Sequence, residues 1–535
     1  MKYKLKMYLT ICLVVSLSQM ALAKPISGSQ EKLLKAANSK KKKTSNKTKS
    51  SALTNAIKLI RRGDYEEATK RLFQLSHSAK YKDKRNRIKY MLGLMLYRMK
   101  FNQLSAYQFI SVVKQGKSRY LRQSLEKLSL AADSLGDDTL LNYAINKVEA
   151  SKFPSQHKSM LFYRIGEFQM QNRNYADAIR SFRRVNDNSE YYTRAKYMQG
   201  LAFAEENDTK NAVDTFNELI QSRAGEKVTD VSYVGALIGR ARVLYQAKKW
   251  DASIEAYREI PRDSEFWHDT LFESSWASLR AGKFRQALSN FHSLHSAYYD
   301  NHYLPESLLL RAIVYLYICD FNEMEKVLNL FNSIYRPVYK NVRTIVSSKS
   351  PDFENLYETV MQVIEEYKKD GEEYKGGNKS IPLIVARKIY KEGDFQRSHK
   401  YIVKVFNEYK RMQSLSPAWK ASALGRYAKK MLSLRLKKAK KTSGKIVMQH
   451  LKYISNELFD LFEQEGFVRF EMTKGKKRTV EKSSNEAETE TGSEDSKRER
   501  DYYIQNGYEY WPFDGEYWLD ELGNYHYVGS QSCQE

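Results

Sequence analysis

The chain has 535 residues, of which 42% are hydrophobic, and it carries a formal net charge of +27. This apolar fraction is enough to build a folded body, so the composition excludes a wholly disordered chain. Nine prolines and 24 glycines are too few for a collagen-like or coil-rich protein, and helix is the expected structure.

The N-terminus has the pattern of a secretory signal peptide. Three lysines at its start precede an apolar core over residues 8–17, which is too short to span a bilayer. Residues 21–23, Ala-Leu-Ala, form the small-x-small pattern of a cleavage site. We therefore expect cleavage after Ala23 and an exported, periplasmic mature chain that begins at Lys24.

Two lysine-rich blocks, around residues 40–49 and 435–441, carry much of the positive charge. Basic blocks are attracted to polyanions of any kind. Outside the cytoplasm the expected polyanions are anionic lipid headgroups and cell-wall polymers, and nucleic acid is not an expected partner. For the scattered lysines, an ordinary solvated surface is the simpler interpretation.

A recurring pattern of small and bulky residues predicts nine helical hairpins. We use as anchor the residue that opens the second helix of each hairpin. The anchors are Tyr65, Asn102, Asp138, Tyr175, Thr209, Trp250, Phe284, Phe321 and Phe395. The residue nine positions before each anchor is small, and the residue seven positions after it is large and apolar, as Gly200 and Phe216 are around Thr209. Small residues let the two helices approach closely, and the bulky residue fills the groove between hairpins.

The turns between the paired helices are also recognisable. Gly63, Gly282 and Gly393 each stand two residues before an anchor. Glycine is favoured where a helix ends in a left-handed residue, so we expect such a residue at these turns. Asp64 and Asp394 are placed to cap the second helices.

This pattern resembles the tetratricopeptide repeat over residues 51–335 and 381–410. It departs from the family in that most anchor spacings exceed the usual 34 residues and the customary closing proline is mostly missing. The resemblance implies an all-α, tetratricopeptide-like helical-hairpin solenoid that holds a protein partner in its groove. It implies neither an enzyme nor a cofactor.

The pattern fails between Phe321 and Phe395. Pro337, Pro351 and the polar stretch 368–380 interrupt it, which predicts an insertion or a distorted repeat.

Beyond the last anchor, two long helices are expected over residues 417–441 and 446–466. The triplet Thr442-Ser443-Gly444 is the predicted break between them. From residue 473 the chain holds almost no apolar side chains, which predicts a charged linker.

The last segment is dense in tyrosine and tryptophan and forms a small aromatic C-terminal module. Three interpretations are open: a miniature core packed on the protein's own helices, a docking surface for a partner, or a platform for sugar stacking. The candidate partner-binding residues are Tyr510, Trp511, Phe513, Tyr517 and Trp518. With the hairpin around 267–291, this block resembles envelope repeat proteins associated with bacterial gliding motility. That resemblance implies a structural component of an envelope machine.

The sequence has no phosphate-binding loop, zincin motif or nucleophile elbow, so we do not expect an enzyme or a metal. The nearest approach to a ligand cluster is a group of histidines that we expect on helix surfaces. They are His268, His292, His295 and His302. Of the cysteines left after cleavage, Cys319 stands in an apolar run, which favours an unpaired core residue over a disulfide with Cys533.

The expected order is a signal peptide (1–23), a basic flexible segment (24–50), tetratricopeptide-like repeats (51–335), an insertion or distorted repeat (336–380), the last repeat with the long helices (381–470), a charged linker (471–500) and the aromatic module (501–535). The function these features favour is an exported protein-protein interaction scaffold, a structural component of a bacterial envelope complex. The alternative is an adaptor that binds cell-wall polymer or anionic lipid through the basic segments and the aromatic tail.

Overall fold

The structure is a computed structural model. The residues it describes are 52–115, 119–136, 158–222, 231–299, 302–371 and 380–485, with Leu522, Gly523, Tyr525, Tyr527 and Cys533 near the C-terminus. Within these residues the chain forms 20 α-helices and no strand, which confirms the all-α prediction. None of the described helices has a stretch both long and apolar enough to cross a bilayer.

The helices are numbered in chain order. Up to residue 136 they are α1 (Ala52–Arg62), α2 (Tyr65–His77), α3 (Arg85–Arg98), α4 (Asn102–Val113) and α5 (Leu121–Leu135). The next eight are α6 (Lys158–Gln171), α7 (Tyr175–Phe182), α8 (Tyr192–Glu205), α9 (Thr209–Ser222), α10 (Val231–Gln246), α11 (Trp250–Arg258), α12 (Trp267–Arg280) and α13 (Phe284–Leu294). The last seven are α14 (Pro305–Tyr317), α15 (Phe321–Val346), α16 (Phe353–Asp370), α17 (Leu383–Lys391), α18 (Gly393–Gln413), α19 (Pro417–Lys420) and α20 (Ala423–Asn485). Short 3₁₀ helices occupy Ala79–Lys84 and Ala297–Tyr299.

The chain divides into two compact units. One takes its described residues from 1–157 and 396–440, and the other from 158–395 and 441–535. Each unit is described by itself below.

The predicted hairpin register is confirmed at seven of the nine anchors. The second helices α2, α4, α7, α9, α11, α13 and α15 begin at Tyr65, Asn102, Tyr175, Thr209, Trp250, Phe284 and Phe321. The anchor Asp138 lies outside the described residues. At the ninth anchor the helix begins two residues early, because α18 starts at Gly393.

A left-handed residue stands two positions before each of these seven anchors. All seven have a positive φ, and in chain order they are Gly63, Lys100, Arg173, Asn207, Lys248, Gly282 and Cys319. The chain must turn sharply between the paired helices, and a left-handed residue ends the first helix. The same expectation for Gly393 is wrong, because that residue is helical. Asp64 caps α2 by accepting the Glu67 N–H at 3.1 Å, as predicted, whereas Asp394 lies inside α18 and is not a cap.

The small residues before the anchors are contacted by the bulky residues after them. A Cβ atom at Gly93 would lie 2.6 Å from the ring of Phe109, and one at Gly200 would lie 2.8 Å from the ring of Phe216. A Cβ atom at Gly239, in the next hairpin, would also lie 2.6 Å from Phe216. The bulky ring therefore packs on its own hairpin and also fills the space before the next one.

In the first unit, Trp419 of α19 completes the core. Its side chain is fully buried and stacks on Phe101 with ring centroids 6.0 Å apart. The indole Nε1 donates a hydrogen bond to the Thr69 hydroxyl at 3.1 Å. This segment after the last anchor thus belongs to the core of the unit.

Proline does not interrupt α15, which runs through Pro337 to Val346. Pro337 and Ser333 are exposed, so water can satisfy the Ser333 carbonyl that lacks an N–H donor. Pro351 does lie between helices, and α16 follows it and packs against α17. Most of the predicted insertion is therefore regular helix.

The predicted break at residues 442–444 is wrong, because α20 continues through the triplet to Asn485. A Cβ atom at Gly444 would lie 1.5 Å from the carbonyl oxygen of Phe353. Glycine is needed here for close packing on α16, and it does not end the helix. The same helix includes residues 473–485, which the sequence predicted as linker.

In the second unit, α20 packs antiparallel along α15. The rings of Phe462 and Tyr339 are 5.6 Å apart, Glu465 accepts a hydrogen bond from Asn332 at 2.8 Å, and Lys476 pairs with Glu325 at 2.6 Å. These contacts run in opposite order along the two helices, which fixes the register of α20 on the unit.

Candidate functional site

The predicted partner-binding aromatic residues lie outside the described part of the chain. They are Tyr510, Trp511, Phe513, Tyr517 and Trp518. The positions that follow them are described at five points, and these lie against the second unit.

Two serines of α13 bind the backbone of the tail. Gly523 donates its N–H to the Ser293 hydroxyl at 2.7 Å, and Tyr527 donates its N–H to the Ser289 hydroxyl at 2.9 Å. Each serine hydroxyl in turn donates to a carbonyl of its own helix, with Ser289 reaching Arg285 O at 2.9 Å. Because the serines stand four residues apart, both face the same side of α13.

Aromatic contacts hold the tail between these hydrogen bonds. The ring of Tyr525 meets His292 edge-on with centroids 4.5 Å apart, and Leu522 is buried. Gly523 has a φ of +87°, and a Cβ atom there would lie 2.8 Å from the Trp267 ring. At the described positions, these contacts favour a small core on the protein's own helices over an exposed docking surface.

The tail is also covalently attached. Cys319 and Cys533 form a disulfide with Cα atoms 5.0 Å apart, so the expectation that Cys319 is an unpaired core residue is wrong. The apolar run that led us to expect burial ends at Ile318, one residue before Cys319. Cys319 itself takes the left-handed turn position and is only half-buried, which leaves its sulfur accessible to Cys533.

Two of the histidines that were expected on helix surfaces lie together in the second unit. His268 is buried and His302 is half-buried, and their ring centroids are 4.3 Å apart. Burial lowers the pKa of His302 to about 3, and the nearby His268, Lys391 and Arg387 lower it further. Burial also lowers the pKa of His268, so the uncharged form of both rings is favoured at neutral pH.

His295 is held in one tautomer by its neighbours. The Ser307 hydroxyl donates to Leu304 O at 2.6 Å, so it accepts from His295 Nε2 at 2.8 Å, while Arg311 approaches Nδ1 at 3.4 Å. Burial, and then the charge of Arg311, lowers the pKa of His295 well below its ordinary value. No grouping of three or more histidine, cysteine or carboxylate side chains suited to a metal occurs in the described ranges.

A polar cleft opens among α7, α8 and α9. It has a volume of about 370 Å³ and is lined by Phe182, Arg183, Val185, Asp187, Tyr192, Lys196, Gln199, Phe203, Asn211, Asp214, Thr215 and Glu218. Lys196 pairs with Glu218 at 2.5 Å, and Arg183 lies over the Phe203 ring at 5.6 Å. Arg183 and Asp214 are exposed. The cleft therefore presents both charges beside aromatic surface, which suits a polar peptide segment.

A charged cluster connects successive hairpins next to this region. Arg242 of α10 donates through Nε to Glu273 of α12 at 2.7 Å, and the Tyr257 hydroxyl donates to the same carboxylate at 2.8 Å. Burial opposes the charge of Arg242, yet the Glu273 carboxylate raises its pKa well above the ordinary value. This pair was not predicted from the sequence, where its only signal is an arginine and a glutamate on the first helices of consecutive hairpins.

In the first unit, Glu408 caps α4 from a distant part of the chain. Its buried carboxylate accepts the Gln103 N–H at 2.8 Å, and the Tyr401 hydroxyl donates to Gln103 Oε1 at 2.6 Å. Burial raises the pKa of Glu408 to about 8. The backbone N–H groups at the start of α4 stabilise the charged carboxylate and oppose this rise. The residue before α4, Phe101, has no capping side chain of its own, so Glu408 supplies the missing acceptor.

The comparison with protein families gives one match. Residues 163–227 match the model of a tetratricopeptide repeat. The matched segment takes in most of the hairpin α6–α7, the hairpin α8–α9 and the whole polar cleft. No curated protein matches the sequence.

Three solved structures are similar in part. A tetratricopeptide repeat protein from Parabacteroides merdae is 16% identical, with 49% of this chain and 97% of that chain covered and a TM-score of 0.28. A Rap protein complexed with Competence and Sporulation Factor is 10% identical, with coverages of 68% and 99% and a TM-score of 0.30. Yeast Tom70 is 11% identical, with coverages of 73% and 95% and a TM-score of 0.17.

The hairpins on both sides of the matched segment keep its register, with the same left-handed turn before each second helix. Residues 163–227 are therefore tetratricopeptide repeats, and the hairpins in register with them extend the fold of that family along the chain.

Proposed function

We propose that this chain is an exported scaffold whose tetratricopeptide repeats bind a protein partner within a bacterial envelope complex. The observation that carries the proposal is the cleft of mixed charge inside the matched repeats. Arg183 and Asp214 can pair with acidic and basic side chains of a peptide, and the half-buried ring of Tyr192 supplies apolar surface. A repeat array presents such a surface without having to reorganise on binding.

Export is supported by two features. The first is the signal-peptide pattern of residues 1–23. The second is the disulfide between Cys319 and Cys533, because structural disulfides persist in oxidising compartments. N-terminal sequencing of the mature protein tests export directly: we expect Lys24 at its start, and a chain that keeps residues 1–23 would contradict the proposal.

The partner-binding proposal is tested by affinity capture from envelope extract with a tagged mature chain. Exchanging the charges of the cleft, in Arg183→Glu and Asp214→Lys, should reduce capture of a specific protein at least about tenfold. Lys210→Glu changes an exposed residue of α9 outside the cleft and is the matched control. Equal capture by all four proteins would contradict the proposal.

A second candidate function is an adaptor to cell-wall polymer or anionic lipid. It is favoured by the N-terminal part of α20, which contains no aspartate or glutamate between Ala423 and Asn456. Arg426, Lys430 and Lys437 are exposed on one face of this helix. Sedimentation with isolated cell wall and with anionic vesicles at low and high salt tests this function. Polyanion binding through these residues should weaken steeply with salt and with Lys430→Glu, and salt-independent binding would contradict it.

A further inference from the structure

The C-terminal part of α20 carries a second face that is exposed in the described part of the chain. Four exposed side chains follow one another at alternating steps of four and three residues. In order they are Glu463, Phe467, Phe470 and Lys474. This spacing places them in one line on the helix, as in the seam of a coiled coil. We call this line the α20 seam.

The α20 seam is separate from the face that packs on α15. That inner face contains the buried residues Leu451, Leu458 and Leu461, and it continues through Glu465 to Met472. In contrast, the side chains of Phe467 and Phe470 are 70% and 65% exposed, the highest values among the large exposed hydrophobic residues of the described chain. Two adjacent phenylalanines this exposed indicate a surface that is covered by another molecule.

The order of charges along the α20 seam indicates which molecule covers it. Glu463 comes first, the phenylalanines are central, and Lys474 comes last. If two copies of the helix pair antiparallel about a point between residues 468 and 469, Phe467 of each copy faces Phe470 of the other. The same register places Glu463 of each copy opposite Lys474 of the other. Parallel pairing would instead place acid against acid and lysine against lysine.

We propose that the chain forms a homodimer through antiparallel pairing of the α20 seams. A two-fold axis makes every contact occur twice, so a self-complementary seam is what such an interface requires. Gly466 flanks the seam, and among the described residues no atom beyond its own stretch of helix lies within 4 Å of where its Cβ would be. The helix backbone of a second copy can therefore approach closely at this point.

The proposed dimer adds to the partner binding that we propose for a single chain. Two copies present two repeat arrays on one particle, so a partner with two binding segments is held with a higher apparent affinity than either array provides. The charges at the ends of the seam fix its register and direction, while the phenylalanines supply the buried apolar area.

Sedimentation velocity of the mature chain over a range of concentrations tests the proposal. We expect a monomer–dimer equilibrium for the unaltered chain. Glu463→Lys alone and Lys474→Glu alone should each weaken the dimer at least about tenfold, because each places like charges in contact twice. The double variant carrying both exchanges restores opposite charges and should dimerise nearly as well as the unaltered chain.

The apolar contribution is tested with Phe467→Ser combined with Phe470→Ser, which should abolish the dimer. Leu330→Ser changes an exposed apolar residue of α15 outside the seam and should leave dimerisation unchanged. Circular dichroism of each variant confirms that the helices are formed. The proposal is overturned if the unaltered chain remains monomeric, if the phenylalanine variant still dimerises, or if the double charge exchange is as weak as the single ones.

Discussion

Cys533 is bonded to Cys319 across 214 residues of sequence, with Cα atoms 5.0 Å apart. Cys319 occupies the left-handed turn two residues before Phe321. A Cβ atom at Gly475 would lie 2.5 Å from the ring of Phe321, so α20 packs tightly on the residue that follows this turn. The end of the chain and the long helix therefore meet the repeat array at the same turn.

Loss of this disulfide should destabilise the second unit. Closing so long a loop restricts the unfolded chain, and removal of such a bond costs roughly 2–4 kcal/mol. We expect Cys533→Ser to lower the free energy of unfolding by an amount in this range in denaturant titrations. Reductant should lower the stability of the unaltered chain to the same level and leave the variant unchanged. Equal stability of the two proteins without reductant would contradict the prediction.

Replacement by alanine should destabilise the protein at Gly200 and stabilise it at Gly466. A Cβ atom at Gly200 would meet the Phe216 ring at 2.8 Å, and that ring cannot shift away because it also packs on Gly239. Gly200→Ala should therefore destabilise the protein by about 1–2 kcal/mol. At Gly466 no atom of the described residues beyond its own stretch of helix lies within 4 Å, so Gly466→Ala should stabilise α20 of the monomer by up to about 1 kcal/mol through helix propensity alone. Thermal unfolding of both variants checks the pair, and a stabilised Gly200→Ala would contradict it.

Lys248 holds a left-handed conformation with a φ of 60°, which is costly for any residue with a Cβ atom. Replacement by glycine removes this strain but raises the conformational entropy of the unfolded chain. The expected net increase in the free energy of unfolding is about 0.5–1 kcal/mol. Lys248→Ala keeps the Cβ atom and should give no such gain. Chemical denaturation of the two variants makes the comparison, and equal stability of both would show that the turn is not strained.

Glu408 should make the stability of the first unit depend on pH. Its folded pKa of about 8 lies above the ordinary value of 4.5, so between these values the folded chain keeps a proton that the unfolded chain has released. The free energy of unfolding therefore falls as the pH rises through this window, by about 1.4 kcal/mol for each pH unit. Glu408→Gln keeps a hydrogen-bond acceptor for α4 but cannot ionise, so it should flatten this slope.

The effect of Glu408 on capping can be separated from its titration. Glu408→Ala removes both the acceptor and the ionisable group, so it should be less stable than Glu408→Gln at every pH. Unfolding curves from about pH 5 to about pH 8 measure both effects. An unchanged slope in Glu408→Gln would contradict the pKa assigned to this carboxyl.

The hairpin register could be predicted because its causes are local. Close helix contact requires a small residue at a fixed distance from each turn, and this requirement recurs along the sequence. A further feature, which recurs at three of the nine anchors, was not predicted. Tyrosines twelve residues before three anchors pack on the bulky rings, with centroid distances of 6.1 Å for Tyr90–Phe109, 6.2 Å for Tyr163–Phe182 and 5.8 Å for Tyr197–Phe216.

Other features could not be predicted because their causes lie far away in the sequence. Gly444 looks like a helix end, and only the approach of Phe353 shows that it serves close packing. In the sequence, Ser289 and Ser293 resemble any other helix serines, and only the structure shows that they bind the tail. Glu408 caps a helix that begins about 300 residues earlier. Such contacts carry no local signal.

Binding of a protein by the repeats is tested most directly by photo-crosslinking in the living cell. A benzophenone amino acid at position 214 lies in the cleft, and one at position 210 lies outside it on the same helix. We expect a discrete protein adduct from position 214 and none from position 210. Adducts of equal yield from both positions, or none from either, would contradict a protein-binding role for the cleft.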